Sequence, residues 1–125
     1  MSLDAYRQAQ RAAESPREAE YRLFAQVTRA LISAEKGGVL DHAFVDAIDW
    51  NRRMWSTFAN DCGLPGNGLP EQLRAQIISI SLWVGRYSSD VIQRKASMDA
   101  LIDVNRAIMD GLAAQPQNMT AGAAG

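Results

Sequence analysis

Apolar residues in this 125-residue chain recur at alternating steps of three and four, and no segment alternates apolar with polar residues as a half-buried strand does. Steps of three and four place these residues along one face of a helix. A chain of this length fits one domain with a single core. We therefore predict an all-α fold, a single compact bundle of about five helices over residues 1–114, followed by a disordered, flexible tail at 115–125.

Capping signals bound the second and third helices. Ser15 followed by Pro16 is typical of a helix start, because Ser can cap free backbone amides and Pro suits the first helical position. This helix should end at Gly37, since Gly accepts the left-handed conformation of a helix end. Asp41 is the expected cap of the third helix, which should end near Asp61.

The other three helices have weaker boundaries. The first, over residues 2–13, carries a thin apolar face. Pro70 follows a glycine-rich loop and predicts the first position of the fourth helix, which should reach Arg94. Ser97 is the expected cap of the last helix, which should end near Ala114.

Two asparagines interrupt the apolar stripes of the third and last helices. These stripes consist of Phe44, Ile48, Asn51, Trp55, Phe58 and Cys62, and of Met98, Leu101, Asn105, Ile108 and Leu112. An amide buried without a partner costs about 1–3 kcal/mol. Asn51 and Asn105 therefore either bond each other or nearby backbone and fix helix register, or line a groove where a partner helix docks. The first interpretation is favoured, because buried amides are generally satisfied within the fold.

The fourth helix has apolar residues on two sides. Ile77 and Val84 belong to its main stripe, whereas Ile78 and Leu82 lie nearly opposite, alongside small residues. Such a helix is either central to a bundle or partly uncovered for a partner, and central burial is the more common arrangement.

A second candidate surface lies beside Trp50, which stands well off the stripe of the third helix. Its neighbours include Met54 and Arg53, and an aromatic residue with Met and Arg is typical of interface anchors. Trp50 has an equally good structural interpretation, packing under the first helix or a loop. Together the two surfaces give the candidate partner-binding residues Trp50, Met54, Ile78, Leu82 and Trp83.

Composition argues against several functional classes. Thirteen basic and fourteen acidic side chains nearly cancel, which disfavours nucleic-acid binding driven by overall charge. His42 is the sole histidine, and the chain has no phosphate-binding loop, Cys/His cluster or serine-nucleophile motif. We expect no catalytic residues, no metal and no cofactor.

The apolar runs and the single cysteine bear on location. The longest strongly apolar stretch, residues 77–84, is too short to span a bilayer, and the polar start lacks a secretory signal. Cys62 has no cysteine partner within the chain and is expected to be a small buried hydrophobe. These features predict a cytoplasmic protein without membrane insertion.

Three stretches together resemble the FlaF family of flagellar biosynthesis proteins. They are Asn51-Arg52-Arg53-Met54-Trp55, then Asn67-Gly68-Leu69-Pro70-Glu71-Gln72-Leu73-Arg74-Ala75, then Leu101-Ile102-Asp103-Val104-Asn105-Arg106-Ala107-Ile108-Met109-Asp110-Gly111-Leu112. Upstream, Tyr6 and the run from Pro16 to Glu20 agree with the same family pattern. The resemblance covers residues 6–112.

The resemblance implies a cytoplasmic protein needed for flagellin production and filament assembly, acting as a positive regulator of flagellin synthesis or as a flagellin secretion chaperone. It attaches no catalytic residues. Its motif positions with expected structural roles are Asn51, Trp55, Asn67, Pro70, Leu73 and Asn105. Among these, Asn67 and Pro70 should shape a loop and a helix start, and Leu73 should lie in the core.

Two functional hypotheses follow from this resemblance. In the first, the protein binds flagellin, through a groove that takes one of its amphipathic terminal segments. In the second, it is a non-enzymatic adaptor that controls flagellin expression through the partner regulator FlbT or through flagellin mRNA. Direct RNA contact is disfavoured by the near-zero net charge and the absence of basic and aromatic motifs.

Overall fold

The computed structural model describes residues 2–37 and 42–114, and its regular structure there is entirely helical. The five helices are α1 (Leu3–Ala13), α2 (Pro16–Gly37), α3 (His42–Cys62), α4 (Glu71–Ile92) and α5 (Asp99–Ala113). The predicted all-α fold is therefore confirmed. The expected cap at Asp41 and the expected flexible tail at 115–125 lie outside the described residues.

Four of the helices form the bundle. α3 packs against both α2 and α4, and α2 also packs against α5. The largest side chains that these contacts bury completely are Trp55, Phe24, Leu31, Ile48, Ile77 and Leu101. α1 contributes little to this core, since each of its described side chains is exposed, in keeping with its thin apolar face.

Two helix starts differ in detail from the sequence prediction. Pro70 is the residue before α4 rather than its first residue, because its ψ of 143° is not helical. Its carbonyl still accepts the first helical hydrogen bond, from the Arg74 backbone at 3.0 Å. Likewise Met98, not Ser97, directly precedes α5, although the Ser97 hydroxyl accepts a hydrogen bond from the Asp99 backbone at 3.1 Å.

α4 ends at Ile92, two residues earlier than predicted, because the chain then turns through Arg94 with a φ of 62°. The Lys95 backbone N–H closes this turn on the Asp90 carbonyl at 2.8 Å. A left-handed conformation is unfavourable for a residue with a Cβ. Here the Arg94 guanidinium stacks over the Phe44 ring at 5.0 Å, which offsets part of that cost.

Candidate functional site

A buried polar cluster joins three helices at the centre of the bundle. The Asn105 amide donates to the Asn51 side-chain oxygen at 2.8 Å and to the Thr28 hydroxyl at 3.1 Å. Its own oxygen accepts a hydrogen bond from the Trp55 indole at 2.8 Å. Asn51, Trp55 and Asn105 are fully buried. The asparagines thus lie inside the core rather than on a surface, and they connect α2, α3 and α5.

The cluster is not fully satisfied. The Asn51 amide nitrogen is buried without a hydrogen-bond partner among the described residues. Beside the cluster, the ring of Trp55 meets Phe24 edge-on at 5.3 Å, and Phe24 meets Phe58 at 5.2 Å. The aromatic packing and the three-way contacts of Asn105 give this region a structural role.

A second polar cluster holds the loop between α3 and α4. Arg17 is buried, pairs with Glu20 and donates to the Asn67 carbonyl. The Asn67 side chain bonds the Asp61 carbonyl at 3.1 Å and the Leu69 backbone N–H at 3.2 Å, which folds the loop against the end of α3. Residues from separate family-like stretches therefore meet here to shape a loop.

Burial alters the acidity of two groups in this cluster. Loss of solvent raises the pKa of Glu20, and the neighbouring Arg17 opposes that rise without cancelling it. Desolvation also raises the pKa of the Cys62 thiol. A buried thiol with a raised pKa is a poor nucleophile, so the geometry gives Cys62 a packing role.

The structure separates the candidate partner-binding residues of α3. Trp50 is 38% exposed and lines a cleft of about 350 Å³ between α2 and α3. Met54 is only 5% exposed and packs against Phe24 and Phe58 in the core, so its expected place on the surface is wrong. Met54 lies four residues after Trp50 on the side of α3 that faces α2, so the packing of α2 on α3 covers its side chain.

The candidate residues of α4 occupy a different surface. Ile78 and Leu82 are 39% and 65% exposed, so α4 is not central to the bundle. The small residues beside them instead face α3: Ser81 bonds the Trp55 carbonyl at 3.3 Å. Arg52 reaches across from α3 to the Gly85 carbonyl at 3.0 Å and to the Ser89 hydroxyl.

Trp83 lies on another flank of α4, half-buried and stacked on Tyr87 with ring centroids 4.7 Å apart. Trp50 flanks the side of α3 away from α4, because Arg52, two residues later, faces α4. The five candidate residues therefore do not form one continuous surface.

The largest of the described concave surfaces is a groove between α4 and α5, which the sequence did not predict. We name it the α4–α5 groove; its volume is about 700 Å³. The α4 wall consists of Gln72, Leu73, Ala75, Gln76, Ser79 and Ile80, and the α5 wall of Val104, Ala107, Ile108 and Gly111. No charged residue lines it, and most of the exposed lining is carbon.

The groove is bounded where the two helices are joined. The Tyr87 hydroxyl donates to the Ser97 carbonyl at 2.7 Å, which ties α4 to the α4–α5 connection. Trp83, three residues after Ile80, lies on the same flank of α4, between that tie and the groove. None of the five candidate residues lines the groove, but Leu82 and Trp83, three residues after Ser79 and Ile80, lie beside its α4 wall.

Other kinds of site find little support in the part of the chain that is described. Within residues 2–37 and 42–114, no three His, Cys, Asp or Glu side chains are grouped so that they could hold a metal ion. None of the described helices is both long and apolar enough to cross a membrane.

Comparison with known proteins gave one finding. A family model described as flagellar protein FlaF matches residues 2–112, a range that contains α1 to α4 and nearly all of α5. Comparisons with curated proteins and with solved structures gave no significant match.

Proposed function

We propose that this chain, which belongs to the FlaF family of flagellar proteins, binds flagellin and acts as a flagellin secretion chaperone or as a positive regulator of flagellin synthesis. The observation that carries the proposal is the α4–α5 groove, an apolar concave surface left uncovered on a small helical bundle. Apolar grooves between helices are a common way to bind an amphipathic segment of another protein.

The mode of action that we propose is binding without catalysis. The polar clusters of the core are used in packing: Asn105 bonds three neighbouring side chains, and Arg17 holds a loop. Neither cluster opens into the α4–α5 groove, whose lining offers amides, one hydroxyl and carbon but no acid, base or thiol. A surface of this composition supports recognition and gives no group for proton transfer.

Flagellin as the client explains why such a surface would be useful. The terminal segments of flagellin are amphipathic and unfolded before they polymerise, so their apolar faces are exposed. A protein that covers one of these faces would keep flagellin from aggregating until export. Because this must happen before export, we place the protein in the cytoplasm. Protection of unexported flagellin would also raise its level, which links the chaperone and regulator descriptions.

An adaptor that acts through FlbT or flagellin mRNA is the second candidate function. Exposed Ile78 and Leu82 favour it, because they offer a protein partner apolar side chains on α4 that do not line the α4–α5 groove. RNA is the less suitable partner for this chain, since its net charge is −1 and sequence-independent RNA affinity comes mainly from basic side chains.

The two candidates are distinguished by mixing purified protein with purified flagellin and measuring complex formation by size-exclusion chromatography with light scattering. Flagellin lacking both terminal segments serves as the control. We expect a complex with full-length flagellin only. No complex at micromolar concentrations, together with capture of FlbT or of flagellin mRNA, would contradict the flagellin-binding proposal and favour the adaptor.

A further inference from the structure

The walls of the α4–α5 groove match in length. Leu73 and Ile80 are seven residues apart on α4, and Val104 and Gly111 are seven apart on α5. Seven residues of helix span about 10 Å, or two turns. A docked helix of two turns would therefore meet apolar side chains along both walls.

Small residues keep the groove open on the α5 side. Ala107 and Gly111 line it, and a Cβ at Gly111 would meet no atom within 4 Å. Small residues on a helix surface let a second helix approach closely, because no long side chain stands between the backbones. The apolar contacts then come from Val104 and Ile108 beside them.

The two edges of the groove differ in charge. Asp103 and Asp110 lie four residues before and three residues after Ala107, so they share its outward-facing flank. Both are exposed, and neither carboxylate forms an ion pair within the described part of the chain. Arg106 is exposed as well, but it directly precedes Ala107 and so lies about 100° farther around α5, away from the groove. The α4 wall is neutral at Gln72, Gln76 and Ser79, and the charge beside its first turn is the acidic Glu71. The groove is thus apolar along its floor, with acidic side chains nearest to it on the α5 side.

From this arrangement we infer that the α4–α5 groove is the client-binding site and takes about two turns of an amphipathic helix with basic residues along one edge. The inference rests on the proposed function and specifies its site. Apolar side chains of the client at steps of three and four fill the floor between Leu73, Ile80 and Ile108. Its basic edge lies along Asp103 and Asp110, where opposite charges give orientation and speed association.

A small molecule is a poorer occupant of the same groove. Small-molecule sites usually add a few converging polar groups to an apolar cavity, which fix the ligand's orientation. Here the polar lining residues, Gln72, Gln76 and Ser79, lie on one wall only, and the α5 wall carries none. An extended apolar floor with one charged edge is better matched by a helix.

The first test fills the groove without removing any core contact. Ala107→Trp places an indole in the groove, and Ala113→Trp places one on an exposed position of the same helix that does not line it. The probe is a fluorescent peptide covering each terminal segment of the flagellin of the same bacterium, followed by anisotropy. We expect Ala107→Trp to weaken binding at least about tenfold and Ala113→Trp to leave it unchanged.

The second test reverses the acidic edge. The double variant Asp103→Lys with Asp110→Lys should weaken peptide binding about threefold or more at low salt, with a smaller effect at high salt because exposed charges are screened. Asp46→Lys with Asp49→Lys makes the same change of net charge on α3 and should weaken binding much less. Circular dichroism of every variant verifies that the fold is retained.

The outcomes separate the site from the function. If Ala107→Trp and the double aspartate variant both bind the flagellin peptide as tightly as the wild-type protein does, the groove is not the binding site, although flagellin binding itself stands. Absence of binding by the wild-type protein would overturn the proposed function and the inference together. A third outcome is that the wild-type protein is a dimer, that Ala107→Trp is a monomer, and that flagellin binds neither. A second copy of this chain would then occupy the groove instead.

Discussion

Asn105 is the residue on which the packing of three helices depends. Its amide group makes hydrogen bonds to Asn51, Thr28 and Trp55, whereas the Asn51 side chain makes one bond within the described residues and its nitrogen has no partner there. Both asparagines are fully buried, so a difference in their contributions to stability comes from their hydrogen bonds and not from exposure. Asn105 should therefore contribute more to the free energy of unfolding than Asn51.

Replacement of each asparagine by leucine tests that inequality. Asn105→Leu leaves the Trp55 indole and the Asn51 oxygen buried without partners, which should lower the free energy of unfolding by about 2–4 kcal/mol. Asn51→Leu also removes the unpaired nitrogen, so its cost should be smaller by at least about 1 kcal/mol. Urea denaturation of both variants measures the difference. Equal losses would show that Asn105 is not the more important member.

Glu20 gives the molecule a defined dependence of stability on pH. Because burial raises its pKa in the folded state, the folded protein binds a proton more tightly than the unfolded chain does. Stability associated with this group is therefore highest below the unfolded pKa, near 4.5, and falls as pH rises through the folded pKa. A variant without a titratable group at this position should not lose stability in this way as pH rises.

The measurement compares wild-type protein with Glu20→Gln by urea denaturation from pH 4 upward. Gln resembles the protonated carboxyl and can still accept a hydrogen bond from Arg17, so the two proteins should be similarly stable at pH 4. As pH rises above 4.5 and Glu20 ionises, the wild-type protein should lose stability relative to Glu20→Gln. A wild-type protein that instead gains stability relative to the variant over this range would mean that the attraction of Arg17 outweighs desolvation.

At the scale of the elements, the pairing of α3 with α4 depends on neighbouring arginines with different roles. Arg52 reaches the Gly85 carbonyl and the Ser89 hydroxyl on α4. Arg53 is 73% exposed, and its one ion pair within residues 2–37 and 42–114 is with Asp49 of its own helix, at 3.5 Å. Sequence alone does not distinguish them, because both are arginines in the same polar part of the helix.

Alanine at each position measures the contact between the elements. Arg52→Ala removes hydrogen bonds that join two helices and should lower the free energy of unfolding by about 1–2 kcal/mol. Arg53→Ala removes an exposed ion pair and should change it by less than about 0.5 kcal/mol. Thermal unfolding of the matched pair checks this. A cost for Arg53→Ala as large as that for Arg52→Ala would contradict the assignment of the α3–α4 contact.

Helix content and most boundaries followed from local signals in the sequence. The start of α2 after Ser15 is as predicted, since its cap is local: the Ser15 hydroxyl accepts from the Glu18 backbone at 3.1 Å. The prediction that α4 reaches Arg94 is wrong by two residues, because Arg94 adopts a left-handed conformation that is rare for a residue with a side chain. Its stacking on Phe44, fifty residues away, is not a local signal.

At the scale of the whole molecule, the arrangement of helices could not be obtained from periodicity. The apolar stripe identifies the buried face of each helix but not the neighbour that covers its flanks. Met54 lies beside Trp50, off the apolar stripe of α3, which predicts a surface position, but α2 covers that flank. Val104 lies one residue from the stripe of α5, and nothing in the stripe indicates that this flank lines a groove. The α4–α5 groove exists because α4 packs mainly on α3 and α5 mainly on α2.

The central claim is that flagellin binds in the α4–α5 groove, and methyl NMR of the full-length protein during titration with flagellin tests it most directly. The methyl groups of Leu73, Ile80, Val104 and Ile108 report on the groove, and those of Leu23 and Val45 report on exposed surfaces of α2 and α3. We predict saturable shifts in the groove set and none at Leu23 and Val45. Shifts at Leu23 and Val45 with the groove set unchanged, or no shifts at any methyl group, would contradict the account.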